Sequence, residues 1–359
     1  MFLLASLLQG KNIWGDCDRQ ATKKGKHLSY CFIFLSFLSF FVIMAARYMV
    51  GTDYYSTYVV NFERASTDNL ESSSWEPLFK LFYRLLVKVT DNPQWVFIIT
   101  SFVIVFCLWF AIYKLSPIPW LSVVIFVCSR HFFIAMNGVR QYVGLACVAI
   151  AMVFLARNNP VGYFIMVMIG IMCHYSTAVF LPLYFLCKVK IKPIYIVTII
   201  VITSLLPILP YLSEAIVQSS VYSHYIGSAF DLPYRYDTSV VFQILFILGI
   251  IVYILGKVPL KDNEILLRYL VNLYFLCVFL SLNLNLFPNS IRIVWSLEMP
   301  VMLLLPCLIN RLQNKTERAV ISCTVIALYG YFMVNRILAG DHECIPYGIR
   351  LGEEIYYLI

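Results

Sequence analysis

Apolar runs of membrane-crossing length recur along the chain. They fall at about 31–49, 94–113, 118–136, 141–156, 160–187, 194–211, 239–256, 265–287, 293–309 and 319–335. About 20 apolar residues suffice to cross the hydrocarbon core of a bilayer. The pattern therefore predicts an all-α integral membrane protein, a polytopic bundle of about 10–12 transmembrane helices forming one domain over 1–359. The 160–187 run is too long for one straight helix and carries Gly170, His174 and Pro182 in its interior. It predicts two short helices with His174 near the turn, or a re-entrant hairpin whose bare backbone is buried in protein.

Two polar segments are long enough to count as loops, 50–93 and 212–238. In the first, Leu78, Leu81, Phe82, Leu85, Leu86 and Val89 follow helical spacing, with Lys80, Arg84 and Lys88 on the opposite face. Ser72 to Ser74 can cap this helix, and Pro77 suits its first turn. The spacing predicts an interfacial helix lying on the outer leaflet.

Composition sharpens the class. Apolar residues make up 61% of the chain and charged residues 13%, against roughly 25% charged in soluble proteins. A water-soluble enzyme, a disordered chain and a collagen are excluded, and a net charge of +8 is too thinly spread for nucleic acid. The eleven cysteines form no CxxC pair and mostly sit in apolar runs, so they read as small buried side chains. Met1 to Leu8 is short and lacks a preceding basic region, so it is not expected to be a cleavable signal. Lys11, Arg19, Lys23, Lys24 and Lys26 follow it and place this end in the cytoplasm.

Counting bases on that topology puts 16 of 27 inside and 11 outside. Eleven of the inner bases are lysine and nine of the outer ones are arginine. Lysine suits generic cytoplasmic retention, whereas arginine keeps its charge when partly desolvated and grips phosphate through two donors. The outer face is thus equipped for a phosphate-bearing ligand, with interfacial snorkelling as the competing reading.

The chain contains no P-loop, GxGxxG, GxSxG or HExxH, and no carboxylate pair at metal spacing. No metal or cofactor is expected. The candidates are polar residues at the outer membrane boundary. Asp53, just past the first run, is placed to orient or deprotonate a sugar hydroxyl, or else simply ends a helix. Arg130 and Arg140 bracket Asn137-Gly138; Arg140 and Gln141 open a helix, where a guanidinium and a positive helix end favour an anion. His174 interrupts an apolar run and reads either as a packing element or as a base or phosphate contact. Arg292 sits at an outer turn, and Glu298 lies six residues further on, as an ion pair or facing a polar cavity.

The order of short motifs adds a family. Gly51-Thr52-Asp53-Tyr54-Tyr55, then Glu76-Pro77-Leu78-Phe79, then Asn137-Gly138-Val139-Arg140-Gln141, then His174-Tyr175-Ser176-Thr177 are followed by the Arg292 segment and a terminal Ile345-Pro346-Tyr347. From about 45 to 347 the sequence resembles the EpsG/Wzy group of bacterial polysaccharide polymerases. It departs at its start, where Met1–Leu8 stands as a remnant of a full first span. The resemblance implies a fold like that of lipid-dependent, GT-C-like glycosyltransferases. It implies an enzyme of the bacterial inner membrane that joins undecaprenyl-diphosphate-linked oligosaccharide repeat units at the periplasmic face and releases undecaprenyl diphosphate, as O-antigen polymerases do. Arg140 and Arg292 would then hold diphosphate, Asp53 and His174 would serve the acceptor hydroxyl, and Glu76 matches a family position without an evident role. A chain-length regulator and a flippase of the same pathway are candidate protein partners, beside membrane lipids.

Two other classes compete. A flippase for the same lipid-linked unit needs polar groups spread through the midplane and broken helices in both halves, whereas here only 160–187 is clearly broken. A membrane O-acyltransferase using His174 lacks an evident second catalytic partner.

Overall fold

The computed structural model describes residues 1–8, 23–70, 75–192, 194–195, 198, 238–283, 291–351 and 354–358. The chain is an all-α polytopic membrane protein. Among the described residues six helices are long and apolar enough to span a membrane, or seven if one bent pair counts as a single span. The predicted run at 194–211 and the 212–238 loop fall almost wholly outside the described residues.

The helices divide into two compact units, Met1–Leu181 with Tyr329–Ile359, and Pro182–Leu328. The first begins with α1 (Phe2–Leu8), α2 (Lys23–Ala45), α3 (Val60–Ser66) and α4 (Pro77–Leu86). It continues through α5 (Gln94–Leu115), α6 (Pro119–Cys128), α7 (His131–Asn137), α8 (Val139–Ala156) and α9 (Pro160–Cys173), and a short α10 (Phe180–Leu183) comes next. Its centre is α8, on which nearly every residue is buried. That helix packs between α5 and α9. On α9 the buried residues Tyr163, Val167, Gly170 and Cys173 face inward. Val161, Ile165, Met168, Ile169 and Met172 are exposed on its other side. A helix apolar all round, with its apolar outer face uncovered, is what a lipid environment demands.

Local chemistry fixes the ends. Asn159 accepts a hydrogen bond from Gly162 N at 2.9 Å and caps α9, whose first residue is Pro160. Helix α4 likewise starts at Pro77. It buries Phe79, Tyr83 and Leu86, while Leu81, Leu85 and Val89 of the apolar stripe stand exposed.

Two of the predicted runs are interrupted in this unit. The predicted continuous span at 118–136 is in fact two helices, α6 and α7, bent by 58°. Arg130 between them has φ of 68°, a left-handed conformation that stops a helix. The long 160–187 run is broken at His174, as its pattern predicted: α9 ends at Cys173, His174 is extended, and a 3-10 turn covers Tyr175–Val179.

The second unit carries a 3-10 turn at Tyr184–Lys188, then α11 (Thr238–Lys257), α12 (Ile265–Asn283), α13 (Ile291–Glu298) and α14 (Val301–Ile309). Asn272 of α12 donates to the carbonyls of Leu186 at 2.8 Å and Val189 at 2.9 Å, which ties that turn to the helix. The last helix, α15 (Lys315–Leu338), leads into Gly340–Cys344 and a hairpin of β1 (Tyr347–Leu351) and β2 (Glu354–Leu358). The hairpin pairs Gly348 with Tyr357 and Ile349 with Tyr356. It was not anticipated by the helical reading. Tyr48 N donates to Gly348 O at 2.8 Å, and a Cβ on Gly348 would collide with the Tyr48 carbonyl oxygen, so this approach requires glycine.

Candidate functional site

Glu76 is the residue around which the first unit organises its polar groups. It precedes α4, is 2% exposed, and carries a carboxylate that must be compensated at that depth. Arg140 Nη1 donates to Oε2 at 2.5 Å, and His174 Nδ1 pairs with Oε1 at 2.8 Å. Tyr175 N adds a contact to Oε1 at 3.3 Å. Burial alone would raise the Glu76 pKa, but the His174 hydrogen bond and the Arg140 charge outweigh it and hold the carboxyl at about 2.

Three sequence features place these side chains. Arg140 lies in the first turn of α8, directly after the Gly138 corner. His174 projects where α9 ends and the chain becomes extended. Gly144 and Gly170 let α8 and α9 approach closely: a Cβ on Gly144 would stand 2.5 Å from Thr177 Oγ1, and one on Gly170 would stand 3.0 Å from Gly144 O. The arginine is also held from above, with its guanidinium carbon 4.6 Å from the centre of the Trp75 ring. Among the described residues, Glu76 is the only side chain hydrogen-bonded to that guanidinium, which leaves further N–H donors in its fork.

The Glu76 contact sets the histidine's chemistry. An ionised carboxylate only accepts, so His174 Nδ1 carries the hydrogen, and any second proton on the ring is exchanged at Nε2. A carboxylate that fixes a tautomer and then stabilises the imidazolium is the support a general base needs.

A second group of polar residues lies one corner away. Tyr58 joins the two: its hydroxyl donates to Asn137 O at 3.2 Å and accepts from Arg140 N at 3.4 Å. Asn137 Oδ1 accepts from Asp53 N and Thr52 Oγ1, both at 2.9 Å. Its Nδ2 donates to His342 Nδ1 at 3.1 Å. Arg130 pairs with Asp341 at 2.7 Å. Gly51, at φ of +95°, donates its N–H to Glu343 O at 3.1 Å. Burial lowers the pKa of His342, with the nearby Asp341 opposing it.

Of the residues expected from sequence, Glu76, Arg140 and His174 thus meet directly. Asp53 and Arg130 belong to the neighbouring group. Gln141 is buried in α8 at 3% exposure. Arg292 and Glu298 lie on α13 in the second unit. Sequence reading missed Trp75, Asp341 and His342. The one available signal was the polar run Asp341-His342-Glu343 between an apolar helix and the terminal Ile-Pro-Tyr.

Beside this region, the ends of α2 and α5 and residues Arg350 and Tyr55 line a groove of about 1080 Å³. Arg47, fully buried nearby, donates Nη1 to Met44 O at 2.7 Å and lies 4.8 Å from the Phe97 ring centre.

In comparison with known proteins, the model of the EpsG family matches residues 30–349. No curated protein and no solved structure matches the chain.

Proposed function

Since the chain belongs to the EpsG family, the family of Wzy-like polysaccharide polymerases, we propose that it joins undecaprenyl-diphosphate-linked oligosaccharide repeat units at the periplasmic face of a bacterial inner membrane. The observation that carries the proposal is the buried Glu76 carboxylate shared by Arg140 and His174.

In this reading a hydroxyl of the acceptor unit attacks the anomeric carbon of the donor sugar. A new glycosidic C–O bond forms, the anomeric carbon–phosphate oxygen bond breaks, and undecaprenyl diphosphate departs with the bonding pair. The hydroxyl proton passes to His174 Nε2, and Glu76 stabilises the imidazolium through Nδ1. A sugar hydroxyl is a poor nucleophile at neutral pH, and a positioned base supplies roughly 10²–10⁴ in rate. Arg140 uses its remaining donors for the departing diphosphate, while its bond to Glu76 fixes their direction. Asp53 orients the acceptor on the adjoining side. Arg292 is a second diphosphate contact on this reading, supported by the resemblance alone. The activated donor drives the transfer, so no nucleotide is consumed.

The test is a surface-polysaccharide gel from a strain lacking the gene, complemented with variants. Loss of the polymer ladder with retention of a single capped repeat unit is the expected result, both in the deletion and with His174→Ala. A normal ladder in the deletion overturns the reading. Loss of the single unit as well would point to a transporter of the lipid-linked unit. Arg140→Lys keeps the charge but loses the planar fork; shortened, sparse polymer is expected, a drop of about tenfold or more.

A further inference from the structure

Five backbone positions with positive φ converge on one spot: Gly51 at 95°, Arg130 at 68°, Gly340 at 81°, His342 at 63° and Glu343 at 49°. Left-handed backbone at non-glycine residues costs free energy and persists where surrounding contacts over-determine it. Here those contacts run from Gly340–Cys344 to two distant stretches. Asp341 takes the Arg130 guanidinium at 2.7 Å, Glu343 O takes Gly51 N at 3.1 Å, and Cys344 Sγ lies 3.9 Å from Phe133 O. At their centre His342, with a side chain 12% exposed, accepts the Asn137 amide.

Asn137 is the last residue of α7 and the one before the Gly138 corner that starts α8. Its carboxamide faces two ways. Oδ1 holds the backbone of Asp53, and Nδ2 points to His342. Its backbone carbonyl accepts from the Tyr58 hydroxyl, whose oxygen receives the backbone N–H of Arg140. The side chain therefore holds Asp53, while the backbone of the same residue reaches the turn carrying Arg140 through Tyr58. Nδ2 has two acceptors, Thr52 Oγ1 at 2.7 Å and His342 Nδ1 at 3.1 Å, and the second comes from 205 residues further along the chain.

We propose that His342 is a positioning residue for glycosyl transfer, its Nδ1 acting beside Thr52 as an acceptor that orients the Asn137 carboxamide and thereby Asp53. The inference rests on the polymerase reading of the chain. It requires an acceptor at the Nδ1 position, not a titrating imidazole.

That distinction defines the test. His342→Asn places a carboxamide oxygen close to the Nδ1 position and tolerates the left-handed backbone. His342→Gly relaxes the backbone fully and removes the acceptor. Both are purified in nanodiscs and assayed for chain elongation with a diphosphate-linked repeat unit. Thermal unfolding is followed in parallel. Expected is near wild-type kcat for His342→Asn and a fall of about tenfold or more for His342→Gly, with KM changed less than kcat, because displacement of positioned groups acts chiefly on the chemical step. Three outcomes overturn the role: full activity of His342→Gly, equal loss in both variants, or loss that tracks the unfolding temperature. Wild-type protein that fails to elongate would instead remove the polymerase reading itself, which keeps the two failures apart.

Discussion

Glu76 answers two partners that need different things from it. Arg140 needs a permanent negative charge, and His174 needs an acceptor that selects a tautomer. Glu76→Gln meets neither, because its amide N–H₂ must face a donor on one side. Polymer formation is expected to fall about 100-fold or more, with helical content unchanged, as read by an elongation assay beside circular dichroism. The pH behaviour follows from the depressed carboxyl. A carboxylate whose pKa drops on folding contributes fully above its ordinary value of 4.5 and is lost only as pH falls through about 2. The pH–activity profile of the wild type should therefore lack a carboxylate inflection near 4.5. An inflection there that vanishes in Glu76→Gln would contradict the compensated state of the residue.

The contact between α8 and α9 depends on two missing side chains. Gly144→Ala puts a methyl 2.5 Å from Thr177 Oγ1 and 3.6 Å from His174 Cβ, while Gly170→Ala meets Thr177 Cγ2 at 2.8 Å. Each is expected to cost about 1–3 kcal/mol, measured as a lowered unfolding temperature in detergent, and to displace His174 from Glu76. The breaks in the helices differ in how readable they were. The end of α9 at His174 was foreseeable, because Gly170, His174 and Pro182 interrupt an apolar run too long for one helix. The bend at Arg130 was not, since Ser129-Arg130 contains neither glycine nor proline. Its guanidinium is paired with Asp341, 211 residues away, a contact no local pattern encodes. The same holds for the carboxylate. Arg140 and His174 were singled out by their positions beside apolar runs. Glu76 drew attention only through family resemblance, because its partners lie 64 and 98 residues along the chain.

At the level of the whole chain, the proposed reaction requires the Glu76 side to face the periplasm. Thr67 and Lys261 are exposed and suit impermeant thiol labelling, once Cys17 and the exposed Cys31 and Cys323 are replaced by serine. Thr67→Cys should react in intact spheroplasts and Lys261→Cys only after permeabilisation. The reverse pattern would place the site in the cytosol and end the proposed function. The class itself was readable from the first apolar runs, because the 20-residue requirement of a bilayer leaves a strong trace in the chain. The carboxy-terminal hairpin left none, being short and mixed in polarity.

The docking of Gly340–Cys344 onto residues 51, 130, 133 and 137 also sets a schedule for biosynthesis. The helices bearing Arg140 and His174 are made and inserted long before the ribosome reaches Asp341. Until those late codons are translated, the corner lacks His342 against Asn137 and the partner of Arg130. A nascent chain that stalls after α15 would hold its helices in the bilayer yet lack the groups that finish the corner, so maturation of the site comes only after that helix has been made.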